Sequence, residues 1–256
     1  MRSSDGRFPA ARSGTLFGRV NNPATLKGVL NANLPLWGTT HLAIIASVPT
    51  VAAGLAFAAR RCPAARSPIR WILGSFLLLN EAIWYLYQIH HGYLRFPGQL
   101  PLQLCDFAVW LAALAVLSRS AWCFDVVWYW GLCGAGMAIL TPDLWTPFPS
   151  YLAIAFFLSH GGVVATILFL VWSGLMRPRP GSVWRAFIAL NVVAAAVGVF
   201  DAIFRTNYLY LRQKPVNPSL LDFFGPWPFY VVLAEPLVLL LFWILWLPFR
   251  RKDARQ

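Results

Sequence analysis

Long, continuously apolar stretches recur along this chain, over residues 40–59, 71–91, 101–118, 122–141, 150–174, 184–206 and 228–248. Each can cross a hydrocarbon core of about 30 Å as an α-helix. Membrane-spanning strands would alternate apolar and polar residues over about ten positions, whereas these runs are apolar throughout. The connections are short, so sequential helices should be antiparallel neighbours. The expected fold is all-α, a polytopic membrane bundle of about seven transmembrane helices over residues 36–249. A polar, basic N-terminal tail (1–35) and a basic C-terminal tail (250–256) flank it.

Composition agrees. The 256 residues are 59% hydrophobic and 12% charged, against about 25% charged in a soluble domain. The net charge of +12 would suggest nucleic acid in a soluble protein. Here the basic residues sit in tails and short loops, where lipid headgroups and the positive-inside rule place them, so nucleic acid is excluded and membrane lipids are the expected partners. Arg60, Arg61, Arg66, Arg70, Arg177, Arg179 and Arg185 share one side with Arg250, Arg251, Lys252 and Arg255. That side is expected to be cytoplasmic, with the C-terminus there and loop 142–149 outside. The N-terminal arginines and Arg205, Arg212 and Lys214 pull the other way. Four cysteines without CxxC or Cys/His spacing indicate neither metal nor redox motif, and no cofactor is expected.

Polar side chains inside such helices are costly and should face the bundle interior or a wet cavity. The second span presents Asn80, Glu81, Tyr85, Gln88 and His91 as one polar stripe, so Glu81 should face inward and be paired. Gln103, Cys105 and Asp106 open the third span, and Asp143 follows the fourth. Ser159 and His160 lie in the fifth, Asn191 and Asp201 in the sixth, Glu235 in the seventh. Most fall in the outward halves, so one outward-open cavity would account for them together. Asn80, Asn191 and Ser159 read first as interhelical hydrogen bonds. Glu81, Asp201 and Glu235 fit either a site or a paired network. Cys105 alone reads as a buried packing residue. Paired with His160 it could be a nucleophile and its base, since imidazole generates the reactive thiolate. Counting about 1.5 Å per residue puts Cys105 roughly 6 Å below Pro101 but His160 roughly 15 Å below Ser150, a mismatch that counts against the pair.

The segments WGTTHL (37–42), LPLQLCDF (100–107), ILTPDLW (139–145), FFLSHGG (156–162) and YLYLRQKPVNPSLLDFFGPWPFY (208–230) resemble the YwaF-type bacterial integral membrane protein family. That family is similar to the eukaryotic transmembrane protein 164 acyltransferase group. The resemblance spans roughly residues 36–248 and implies a multi-pass protein of the bacterial plasma membrane. It further implies a cysteine-dependent acyltransferase or transacylase acting on membrane phospholipids, with Cys105 as nucleophile and His160 as base. Gln103, Asp143 or Asp201 would orient the imidazole. Asp106, if charged, would disfavour the thiolate, so it should point away or bond a helix partner. The alternative reading is a non-catalytic transporter or binding protein using Glu81, Asp201 and Glu235.

Overall fold

The computed structural model describes residues 34–142, 144, 148–215 and 220–250. Residues 1–33 and 251–256 of the tails and Asp143 lie outside the described residues, as does part of loop 142–149. Among the described residues there are seven helices and no strand, and helix accounts for 77% of the structure. The helices are α1 (Thr39–Arg61), α2 (Arg66–His90), α3 (Leu104–Ser118), α4 (Ala121–Leu140), α5 (Tyr151–Trp172), α6 (Ser182–Phe204) and α7 (Phe229–Arg250). All but α3 are long and apolar enough to cross a membrane.

Local chemistry sets the boundaries. Ser120 Oγ accepts from the Cys123 N–H and Ser150 Oγ from the Ala153 N–H, each at 3.3 Å, satisfying N–H groups that a helix start leaves without partners. Gly181 precedes α6 with φ +77°, a left-handed conformation that glycine adopts without strain.

At the centre stands α5. Its main apolar window and that of α4 are 56% buried, against 22% for α1 and α2 and 11% for α6 and α7. Helices α1 to α4 all pack on α5, and α6 packs on α4. The SHGG motif explains the close approach. A Cβ on Gly161 would meet Val48 of α1 at 3.2 Å, and one on Gly162 would meet Phe76 of α2 at 2.8 Å. In lipid, helices associate through packing rather than hydrophobic drive, so small residues belong at such crossings. Trp71, Ile72, Leu79 and Leu86 on the other face of α2 are exposed, as a lipid-facing surface requires.

Two features depart from a uniform bundle. The expected third span, 101–118, is helical only from Leu104, because Gln103 is extended (φ −79°, ψ 152°). Its 15 residues span about 22 Å, short of a hydrocarbon core. The second is a π-helical turn, Gly131–Ala135, inside α4. Such turns are rare and occur often at functional sites.

The helix connections around 61–66, 118–121 and 172–182, together with the end of α7, form one end of the bundle. Arg60, Arg61, Arg66, Arg70, Arg119, Arg177, Arg179, Arg185 and Arg250 gather there, and it is called the basic end below. Residues 91–103, 141–142, 148–150, 205–215 and 221–228 form the opposite end.

Candidate functional site around Cys105 and His160

Because α3 is short, its first turn starts below the opposite end, and the 205–214 segment folds over it. The Leu209 N–H donates to Gln103 Oε1 at 3.1 Å. The Leu100 N–H donates to the Tyr208 hydroxyl at 2.6 Å, and that hydroxyl donates to the Pro97 carbonyl at 2.9 Å. Asp201, fully buried at the end of α6, accepts from Thr206 Oγ1 at 2.5 Å and from the Tyr208 N–H at 3.1 Å. Irregular backbone at membrane depth is tolerated only when its polar groups find partners in protein, and this network supplies them. Burial raises the pKa of Tyr208, opposed by the hydrogen bond from Leu100.

Cys105 occupies the second position of α3, after the N-cap Gln103. Asp106 turns back and accepts from the Gln103 N–H at 2.9 Å, so it bonds a helix partner as expected. The N–H groups of Leu104 and Cys105 donate to no acceptor among the described residues. Two free donors therefore lie beside the thiol at the positive end of a helix, an arrangement suited to a developing oxyanion.

His160 lies midway along α5. Its Nδ1 donates to the Phe156 carbonyl at 2.7 Å, and its ring packs on Phe156 with centroids 4.2 Å apart. A carbonyl only accepts, so in the neutral ring Nε2 keeps its lone pair, the tautomer a general base needs. The backbone of α5 itself orients the imidazole. Of the three residues expected to orient it, Gln103 and Asp201 are engaged with the 205–214 segment instead, and Asp143 lies outside the described residues.

The depth mismatch disappears in three dimensions. A Cβ on Gly131 would meet Val163 and Ile167 of α5 at 3.0 and 3.1 Å, and one on Gly134 would meet Leu104 of α3 at 3.5 Å. Because α4 and α5 run antiparallel, moving three residues from Gly131 to Gly134 moves back by about three residues on α5. Leu104 thus lies level with the neighbourhood of His160, and Cys105 comes within about one helical turn of it in depth. The thiol and the ring are not hydrogen-bonded to each other.

The other polar residues take separate partners. Glu81 is 3% exposed and faces inward, near Tyr85 and Asp106. Its Oε1 and the Tyr85 hydroxyl lack a hydrogen bond of ordinary geometry, so the expected pairing of Glu81 is incomplete. Asn80 is half-buried, and its side chain makes no hydrogen bond among the described residues. Glu235 accepts from Asn191 Nδ2 at 3.1 Å across the α6–α7 seam. His91 is exposed at the end of α2, stacked on Tyr87 with centroids 4.0 Å apart. With Asp201 committed to the loop and Glu235 to Asn191, these residues do not gather in the single cavity anticipated from sequence.

Two buried residues with strongly polar side chains, Asp125 and His41, were not picked out from the sequence. Asp125 of α4, with no exposed surface, accepts from the Arg179 N–H at 3.0 Å, from Arg179 Nε at 2.8 Å and from Arg185 Nε at 3.0 Å. The signal was its position in AWCFDVVWYW, since an ionised side chain in an apolar run demands a partner. His41 receives the Trp37 N–H on Nδ1 at 3.1 Å and donates from Nε2 to the Ile139 carbonyl at 2.8 Å. Both ring nitrogens are satisfied, so His41 ties α1 to the end of α4.

Among the described residues, no group of three or more His, Cys, Asp or Glu side chains could hold a metal ion. A model of the TMEM164 family matches residues 36–246. No curated protein and no solved structure matches the chain.

Proposed function

The chain belongs to the TMEM164 family, and from that premise we propose that this integral membrane protein is a lipid acyltransferase with Cys105 as nucleophile and His160 as base. The observation that supports the reading best is the common depth of the two residues on adjoining helices, reached although their distances along the chain from the membrane surface differ. The protein is read as a multi-pass bacterial plasma-membrane enzyme with a cytoplasmic C-terminus.

In the reaction, Cys105 Sγ attacks the carbonyl carbon of a lipid ester while its proton passes to His160 Nε2. The N–H groups of Leu104 and Cys105 hold the oxyanion. The ester C–O bond breaks, and the departing lipid oxygen takes the proton from His160. A hydroxyl of a second lipid then attacks the thioester, giving its proton to His160. The C–S bond breaks, and the thiolate recovers that proton. Burial under the 205–214 segment keeps water from competing with the acceptor. The thiol and imidazole come within hydrogen-bond reach as substrate binds, since resting enzymes often hold such pairs loosely.

The test is acyl exchange between labelled phospholipids in vesicles containing the purified protein. Cys105→Ala should fall to background, and His160→Ala should lose about 10²-fold or more, the usual contribution of a general base. A thiol-reactive probe should label Cys105 in wild type and weakly in His160→Ala. Undiminished exchange by Cys105→Ala would overturn the assignment.

A further inference from the structure

The buried Asp125 cluster borders a groove that the proposed reaction does not use. Phe107 and Trp110 of α3, Trp122 and Trp130 of α4, and Ile188 of α6 line an almost wholly apolar groove of about 560 Å³ with Arg185 at its basic end. Phe107 is two residues beyond Cys105, and two residues turn a helix by about 200°, so the groove opens away from the thiol. Trp110, Trp122 and Ile188 are exposed, and nothing from the described chain covers them.

The charge at its end is unbalanced. One carboxylate, Asp125, faces two guanidiniums, at 2.6 Å from Arg179 and 2.9 Å from Arg185. Arg185 spends Nε on Asp125 and Nη2 on Asp125 and the Pro180 carbonyl. Its Nη1 makes no hydrogen bond among the described residues, and the side chain is 35% exposed. Arg119 adds a further positive charge in the α3–α4 turn at the same end.

We propose that this groove binds one anionic phospholipid, its phosphate on Arg185 and an acyl chain along Trp122, Trp130 and Ile188. The run from Arg185 to Val193 on α6 covers about 12 Å, the length of the inner part of an acyl chain. A zwitterionic lipid would fill the same apolar slot but would leave the surplus charge unneutralised. Trp122, in the first turn of α4 at the basic end, suits the level of the headgroups, where indole rings concentrate.

The experiment is native mass spectrometry of the full chain, extracted gently after reconstitution into equal phosphatidylglycerol and phosphatidylcholine. Wild type should retain one lipid per chain, with phosphatidylglycerol favoured about fivefold, the preference one interfacial arginine confers. Arg185→Gln should lose that preference. Ile188→Trp, which fills the groove and leaves the Asp125 cluster whole, should lose the bound lipid of either kind at unchanged thermal stability. Equal retention of the two lipids by wild type would overturn the proposal. So would full retention by Ile188→Trp, or an Ile188→Trp effect confined to dissociating a dimer.

Discussion

Leu104 of α3 rests against Gly134 of α4, with 3.5 Å between the leucine Cδ2 and the place a Cβ would occupy on the glycine. The contact sets how deep the first turn of α3 enters the bundle. It leaves room for one methyl group and no more. Gly134→Ala should therefore melt within a few degrees of wild type in detergent. Gly134→Leu should be destabilised by about 1–3 kcal/mol, the usual cost of overpacking, with acyl exchange reduced as Cys105 shifts. Equal melting of the two variants would show that the contact does not set the position of α3.

The Tyr208 hydroxyl is only one oxygen, yet it satisfies both Leu100 and Pro97. Tyr208→Phe keeps the ring and orphans both backbone groups. The cost should be about 1–3 kcal/mol, concentrated in the 205–214 segment. Limited proteolysis should cut that segment faster in the variant while the helices stay protected. An unchanged cleavage rate would mean that the segment is held by other contacts.

Asp125 has two cationic partners, so losing one is survivable and losing both is not. Arg179→Ala should cost about 1.5–3 kcal/mol, as for a charged hydrogen bond. Arg179→Ala with Arg185→Ala should cost about 3–5 kcal/mol, because it strands a buried carboxylate. Adding Asp125→Asn to the double variant should recover much of that loss. Thermal unfolding of the three proteins decides it; if the triple variant melts no higher than the double, the buried charge is not the source.

Cys62 is exposed in the α1–α2 turn at the basic end, whereas Cys105, Cys123 and Cys133 are partly buried in apolar helices. A membrane-impermeant maleimide should label Cys62 in inside-out vesicles and spare it in intact cells, as the positive-inside rule requires. Labelling in intact cells would reverse the orientation.

The helices were legible because unbroken apolar runs admit few other readings. The start of α3 was not, since Pro101 and Leu102 look as apolar as the helix that follows while Gln103 is extended. The apparent depth mismatch between Cys105 and His160 came from counting as if Pro101 lay at the membrane surface, whereas α3 begins deeper in the bundle. His160 and the inward-facing Glu81 were visible as costly residues in apolar segments, whereas Cys105 alone read as packing and stood out only through its pairing with His160 and the LPLQLCDF resemblance. Their partners were not, because position along the chain says little about which helices adjoin. Asp125 and Arg185 are 60 residues apart. Asp201 looked like part of a cavity and instead anchors the 205–214 segment.

The π turn at Gly131–Ala135 has a consequence for how α4 can change. A π turn is in effect an α-helix with one residue too many. Removing one residue from it would leave a continuous α-helix and rotate the two halves against each other by about 100°. Asp125 lies on one side of the turn, and Ile139, whose carbonyl His41 holds, on the other. A regular helix could not present both to their partners. The surplus residue is therefore a phase correction between the two ends of α4, and a single-residue deletion there should disrupt the bundle more than many substitutions.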